Sequence, residues 1–197
     1  MTGKHKQRGF SLIEAAIVLA VVGLVLGGIW TAAAKFYEDY KVNNTVDGIL
    51  MIVRNTQNLI NFATAETIGN SQNITPTLIK ARVFPKNWEN GNALLITNPF
   101  GGNTLVMNHA SNFAVRLYEI PPSACVKLTI KISSIGAMMG SRGDGLYARS
   151  SLGFISSSGS GSPLYISNFP ASLTAAKAFC GNTKASMEFG YNYTRTN

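Results

Sequence analysis

The sequence has few charged residues, few histidines and few cysteines. Only 13% of its 197 residues are charged, about half the share of an average globular protein. Disordered acidic tails combine a high net charge with few aromatic residues, and 10% of this chain is aromatic. Metal sites need clustered ligands, whereas the two histidines and two cysteines are far apart in sequence. We therefore expect no metal and no cofactor.

Long apolar runs are equally scarce, with one exception near the N-terminus. Residues 15–34 carry no charge. As an α-helix with a rise of about 1.5 Å per residue, this run would be roughly 30 Å long, which is the thickness of the hydrocarbon core of a bilayer. A single run of this kind excludes a multi-span membrane protein. Because Lys4, Lys6 and Arg8 precede it, the positive-inside rule predicts a cytoplasmic N-terminus and an exported remainder.

A cleaved secretory signal or a simple membrane anchor would each explain the apolar run. The apolar region of a signal peptide spans about 7–15 residues and ends in a small-x-small cleavage site. Residues 31–34 supply such a site, but the run before it is longer. Neither explanation accounts for Glu14, because a carboxylate in or near hydrocarbon is strongly disfavoured unless it is paired. We therefore predict a function for Glu14.

The residues around Glu14 resemble a known processing signal. Residues 8–14, Arg-Gly-Phe-Ser-Leu-Ile-Glu, are similar to the prepilin motif of type IV pilins and their pseudopilin relatives. The resemblance implies that a prepilin peptidase cleaves after Gly9 and methylates the new amine of Phe10. Residues 1–9 would then be a basic leader peptide. It also implies that Glu14 neutralises the amine of a neighbouring subunit during assembly, the alternative being a hydrated carboxylate at the level of the lipid headgroups.

The region after the leader is predicted to form one long helix over residues 10–62. It contains no proline, since the first proline is Pro76. Glycines at positions 23, 27, 28 and 48 are expected to weaken the helix, and the first two have the spacing that lets membrane helices approach closely. An apolar stripe at helical spacing is expected to pack on the head. It consists of Val46, Ile49, Leu50, Val53 and Ile60.

Residues 63–197 are predicted to form a globular head, which gives an α+β fold with an antiparallel sheet. Alternating or short apolar runs bounded by turn residues predict strands. These runs are residues 93–97, 104–107, 113–118 and 185–191. Helices are expected at residues 124–135, where prolines precede the segment, and at residues 172–179, which Gly181 terminates. Residues 63–92 and 136–161 are expected to be loops.

Cys125 and Cys180 are expected to form a disulfide bond. An even number of cysteines in an exported domain favours pairing. Closing a loop of about 55 residues would stabilise the head by about 4 kcal/mol. The alternatives are two free buried thiols or a catalytic thiol, for which His109 would be the available base.

The order of motifs in the head is similar to that of type IVb pilins, such as the toxin-coregulated and conjugative thin-pilus pilins. Asn-Pro-Phe-Gly-Gly at residues 98–102 precedes a strand and Cys125, and Phe-Cys-Gly-Asn at residues 179–182 precedes the closing strand. The nine-residue leader and Phe10 are more typical of type IVa. The resemblance implies a major pilin that polymerises with itself into a IVb-like pilus for adhesion, aggregation or conjugation.

Other functional classes are weighed against this one, among them a DNA receptor for uptake, which would need an exposed Lys/Arg stripe on the folded head. A minor pilin or a type II secretion pseudopilin would carry the same leader. A membrane-tethered enzyme would need a nucleophile motif or a phosphate loop, and the sequence contains neither, so we expect no enzymatic activity. The expected partners are prepilin peptidase, the inner membrane and its pilus assembly machinery, and host or neighbouring cell surfaces. The precursor would lie in the inner membrane and the product in an extracellular pilus.

Overall fold

The structure, a computed structural model, describes residues 11–62, 72–108, 112–140, 152–158, 164–166, 170–182 and 184–192. These residues form helices and strands in the following order: α1 (Leu12–Phe62), β1 (Gln72–Asn73), α2 (Thr75–Lys80), a 3₁₀ turn (Lys86–Trp88), β2 (Ile96–Thr97), β3 (Asn103–Asn108), β4 (Asn112–Ile120), α3 (Pro122–Gly140), β5 (Leu152–Ser158), β6 (Leu164–Ile166), α4 (Leu173–Cys180) and β7 (Ala185–Asn192). The chain divides into two compact units, of which the first ends at Asp39 and the second begins at Tyr40.

One antiparallel sheet organises the second unit, which confirms the predicted α+β class. Its strand order is β1-β3-β4-β7-β5-β6, and β2 also pairs with β3. The final strand β7 therefore lies between β4 and β5, near the middle of the sheet. The sheet is therefore complete only when the C-terminal strand has paired with β4, which lies much earlier in the sequence.

The three central strands supply rows of buried side chains to the core. Alternation along β3, β4 and β7 turns every second residue toward one face. Cross-strand pairing then aligns them, for example Val106 with Val115 and Val115 with Phe189. The rings of Phe113 and Tyr191 stack with their centroids 5.6 Å apart. These side chains belong to the same core cluster as the buried side of α1.

Within the second unit, α1 has a buried side and an exposed side. The predicted stripe is buried at Val46, Ile49 and Val53, while Leu50 is only partly buried. The side chain of Ile60 lies outside the described residues. This amphipathic pattern is what packing of a helix on a globular core requires.

Gly48 lies where α1 packs closely against Trp88 of the 3₁₀ turn. A Cβ atom added to Gly48 would lie 2.4 Å from the buried indole ring of Trp88. We expected this glycine only to weaken the helix, but the absence of a side chain is what admits Trp88. The neighbouring contacts are polar: Asn87 Nδ2 donates to Asn44 Oδ1 at 3.2 Å.

Several predicted element bounds were wrong. The predicted loop 63–92 contains α2 and the 3₁₀ turn, both too short to show a helical period. The predicted strand 93–97 is reduced to β2, since residues 90–94 form turns in which Asn90 and Asn92 accept backbone hydrogen bonds through their side chains. The predicted loop 136–161 includes the last turn of α3 and the whole of β5.

The other head elements agree with the predictions. The helix expected after the prolines is α3, which begins at Pro122. Ser172 caps α4 by accepting a hydrogen bond from Ala175 N, and Gly181 ends it with a positive φ of 58°. These cap residues act locally, which is why the sequence signals them.

α2 ends in a Schellman arrangement with an unusual residue. Arg82 N donates to Ile79 O and Val83 N donates to Leu78 O, while Arg82 has a φ of 54°. Glycine usually takes this left-handed position because a Cβ atom makes it unfavourable by about 1–2 kcal/mol. The fold therefore holds Arg82 in a backbone conformation that glycine would adopt more easily.

We predict that Gly48→Ala destabilises the second unit by about 1–3 kcal/mol, although alanine is the better helix former, because the new methyl group overlaps the Trp88 ring. Thermal unfolding of the full chain in detergent, followed by circular dichroism, measures the effect. Asp47→Ala is the control, because it introduces the same residue on the exposed side of the same turn. A Gly48→Ala variant as stable as the Asp47→Ala variant would contradict the close contact.

Candidate assembly interface

Glu14 lies in the first turn of α1. The backbone N–H groups of Glu14 and Ala15 donate to Ser11 O at 3.0 and 3.1 Å. Ser11 and Glu14 thus have the spacing of a capping box, in which both residues satisfy free N–H groups at the helix start. A carboxylate in the first turn also interacts favourably with the helix dipole. Gly9 and Phe10, the predicted cleavage and methylation residues, lie outside the described residues.

The helix that follows Glu14 is apolar on all sides and uncovered. Every residue from 11 to 37 is exposed, with Leu12 89% and Leu24 79% accessible. Within the described residues, α1 is the one helix long and apolar enough to cross a membrane, and none of its most apolar window is buried. A helix that is apolar all round is normally buried, either in a protein core or in lipid. This segment therefore requires a cover that the described part of the chain does not supply.

The glycines of this segment face open space. A Cβ atom added at Gly23, Gly27 or Gly28 would meet nothing within 4 Å. Among the described residues, no contact therefore requires glycine at these positions. Their small size is available to a neighbour outside the chain, which is the condition for close helix–helix packing.

Exposed aromatic side chains mark the end of the apolar run. Trp30, Phe36 and Tyr37 are 80%, 74% and 62% accessible, and Lys35 beside them is exposed. Aromatic and basic residues are enriched where a helix leaves the hydrocarbon core. Their position matches the membrane exit that the length of the apolar run predicts.

Cys125 of α3 and Cys180 of α4 form the expected disulfide bond, with Cα atoms 5.8 Å apart. Both residues are buried, and Thr129 Oγ1 lies 3.8 Å from Cys180 Sγ. A second contact joins the same two regions, since Ala171 N donates to Ser133 Oγ at 2.9 Å. Because no cysteine remains free, both alternatives with unpaired thiols are excluded.

Asn98 organises the turn that the resemblance to type IVb pilins singled out. Its buried side-chain Oδ1 accepts from Phe100 N at 2.9 Å and Gly102 N at 3.3 Å, and its Nδ2 donates to Tyr118 O at 3.0 Å. A Cβ atom on Gly102 would lie 2.0 Å from that same carbonyl oxygen. The motif Asn-Pro-Phe-Gly-Gly therefore joins the β2–β3 turn to the irregular end of β4.

The exposed side of the central sheet carries paired charges. Arg116 Nε donates to Glu188 Oε2 at 2.8 Å across β4 and β7. Burial alone would lower the pKa of Arg116, but hydrogen bonds to Tyr118 and Glu188 outweigh it, so the pKa is raised. Lys184 Nζ lies 3.1 Å from Glu119 Oε2. These pairs neutralise Arg116 and Lys184.

Other candidate sites are not supported in the described part of the chain. There, no group of three His, Cys, Asp or Glu side chains is placed to hold a metal ion. His109 lies outside the described residues. Burial raises the pKa of Tyr191, whose hydroxyl is buried without a hydrogen-bond partner among the described residues, so this phenol stays protonated and inert.

Sequence reasoning found the apolar helix and the disulfide, and the role of Glu14 stays a prediction. It missed Asn98, Trp88 and Ser133 as organising residues. Asn98 has a local signal, because asparagine before a Pro-x-Gly-Gly turn often accepts from the following N–H groups. Ser133 and Trp88 make contacts with residues distant in sequence, and a single sequence carries no sign of these contacts.

Comparisons with known proteins agree with this geometry. The family described as PilS N terminal matches residues 39–143, and the prokaryotic N-terminal methylation motif matches residues 4–30. The chain is 28% identical over 129 residues to the major structural subunit of bundle-forming pilus of Escherichia coli O127:H6 and to that of Escherichia coli O111:H-, covering 64% of this chain and 65% of each relative. The chain thus spans slightly less than two thirds of these relatives.

The fold is similar to that of a solved type IV b pilin from Salmonella typhi. The TM-score is 0.53 and the sequence identity 17%, and the similarity covers 78% of this chain and 99% of the other. At this identity the similarity concerns the fold alone.

We predict that reducing the Cys125–Cys180 bond lowers the free energy of unfolding by about 2–4 kcal/mol, because the bond restricts the unfolded chain. Denaturant unfolding of the full chain with and without dithiothreitol measures this difference. The control is the Cys125→Ala/Cys180→Ala double variant, in which the reductant has no bond to break. Unchanged unfolding of the parent in reductant would contradict the prediction.

Proposed function

The chain belongs to the PilS N-terminal family, and on that basis we propose that it is the structural subunit, the major pilin, of an extracellular type IV pilus of the IVb-like class. The observation that carries the proposal is the apolar segment of α1, exposed on all sides and preceded by Glu14 in the first turn. The name of the relatives, major structural subunit of bundle-forming pilus, favours a major pilin that serves aggregation or adhesion, with conjugation as the other use.

The apolar segment would be covered first by lipid, in the precursor, and then by other copies of the chain, in the filament. Each large apolar side chain gains about 1.5–3 kcal/mol on leaving water, so the segment is stable only in lipid or against other copies. The precursor would therefore reside in the inner membrane. In the pilus, the same segments would pack together as the filament core, and copies related head to tail would form an open helix.

Processing would create a cationic partner for Glu14. Cleavage after Gly9 by prepilin peptidase gives Phe10 a free amine, which the enzyme methylates. An unpaired carboxylate is costly in hydrocarbon, and a cation from a neighbouring subunit would offset that cost. Glu14 would thus set the axial register between copies. The assembly machinery of the inner membrane would deliver each copy, and the heads would meet host or neighbouring cell surfaces.

We expect Glu14→Val and Glu14→Gln to reduce the yield of sheared filaments at least tenfold while the leader is still removed. Glutamine preserves the capping-box spacing with Ser11, so a defect shared by both variants reports the lost charge rather than a lost helix start. Quantitative immunoblots of sheared filaments and of membranes measure both quantities. The control is Asp47→Asn, which removes an exposed acid of α1 beyond the apolar segment.

Normal filament yield from Glu14→Gln would contradict the charge pairing. A minor pilin or a type II secretion pseudopilin would be favoured instead if the parent protein were scarce in sheared filaments and abundant in membranes.

We also expect the intact mass of the native protein to equal that of N-methyl-Phe10 through Asn197 less two hydrogens, which reduction restores. Mass spectrometry of filament material before and after reduction tests cleavage, methylation and the disulfide together. An N-terminus near residue 35 would identify an ordinary secreted protein and would refute the role of Glu14.

A further inference from the structure

The segment between the 3₁₀ turn and β2 is an exposed loop. An isolated bridge pairs Glu89 with Ile96 and closes this loop. Residues 89–94 are all exposed. Asn90 and Gly91 lie within the loop, and they are the only Asn-Gly pair in the sequence. Water therefore has access to the side chain of Asn90 and to the peptide group that follows it.

The side chain of Asn90 is folded back along its own backbone. Its Oδ1 accepts from Asn92 N at 2.9 Å, which makes an Asx turn. This hydrogen bond closes a ring that includes both Cγ of Asn90 and the backbone N of Gly91. The N–H group also draws electrons away from the carboxamide carbon. The turn therefore keeps an electrophilic carbon near the backbone nitrogen of the next residue.

Gly91 leaves that nitrogen open to reaction. It has no Cβ atom to hinder the approach, and a Cβ atom added there would meet nothing within 4 Å, so neighbouring residues do not fill the space. Its φ of 78° is one that glycine adopts without strain. Among the described residues, no hydrogen bond holds Gly91 N. Both the electrophile and the nucleophile of an intramolecular reaction are therefore accessible.

We propose that Asn90 is a site of spontaneous deamidation, a covalent modification whose one co-reactant is water. Asparagine is among the thermolabile residues of proteins. Gly91 N loses its proton to hydroxide and attacks Asn90 Cγ. The new N–Cγ bond forms as the Cγ–Nδ2 bond breaks, and Nδ2 takes a proton from water and leaves as ammonia. Water then opens the resulting succinimide at either carbonyl, which gives aspartate or isoaspartate at position 90. No atom is oxidised or reduced, and the loop gains one negative charge.

The modification would change the contact between the loop and β2. Asn90 Nδ2 donates to Thr97 Oγ1 at 2.7 Å. Deamidation replaces this donor with a carboxylate, which follows Glu89 directly in the sequence. Isoaspartate also adds a methylene group to the main chain, which displaces the hydrogen bond to Asn92. The folded chain would thus alter its own charge and loop structure with time, independently of filament formation.

The loop contains a matched control for this reaction. Asn92 is also exposed and also forms an Asx turn, since its Oδ1 accepts from Leu94 N at 2.8 Å. It is followed by Ala93, whose Cβ atom hinders the approach of the backbone nitrogen. The two asparagines share exposure and turn type, so a difference between them reports the effect of Gly91.

The test incubates the full chain in detergent, in water enriched in heavy oxygen, at neutral and at alkaline pH. Because the oxygen added to the product comes from water, mass spectrometry of peptides digested in ordinary water identifies the residues modified during the incubation. We expect label and isoaspartate at position 90 and no label at position 92. The rate at position 90 should rise with the hydroxide concentration. Gly91→Ala and Asn90→Gln should each lose the label at position 90.

The proposal is overturned if position 90 acquires no label, if Asn92 acquires as much as Asn90, or if Gly91→Ala leaves the label unchanged. Because alanine is strained at a φ of 78°, circular dichroism first establishes whether Gly91→Ala is folded. The comparison of Asn90 with Asn92 is made within the unsubstituted chain, so it decides the proposal whatever the stability of the variant.

Discussion

The exposed apolar surface of α1 is the constraint on which the rest of this molecule depends. From residue 15 to residue 34 the helix carries no charge on any side, and no described part of the chain covers it. The free energy gained when one large apolar side chain leaves water is a sizeable part of the free energy of unfolding of a small domain. The segment can therefore exist only in a membrane or in an assembly, and the role proposed for the chain uses both environments in turn.

The structure of the head depends instead on contacts between residues that are far apart in sequence. Strand β7 enters between β4 and β5, and the disulfide joins α3 to α4 across 55 residues. Asn98 joins the β2–β3 turn to the end of β4 through hydrogen bonds that leave its amide satisfied on both sides. These contacts connect parts of the chain that are distant in sequence.

Sequence reasoning succeeded where the physical cause is local. The resemblance to type IV pilins, recognised from residues 8–14, is confirmed by the methylation motif and by the family match. Pro122 and Gly181 marked the ends of helices through their own backbone preferences. The long helix followed from one charge-free run and the absence of proline before Pro76. The cleavage and methylation of Phe10 stay predictions.

The failures have a common physical origin. The sequence predicts a loop at β5 because Leu-Gly-Phe-Ile-Ser-Ser-Ser has a low intrinsic preference for strands. The segment becomes a strand through its pairing with β7. The local sequence predicts only that Gly48 weakens the helix, because Trp88 comes 40 residues later in the sequence. The ring of Trp88 occupies the space that a side chain at position 48 would fill.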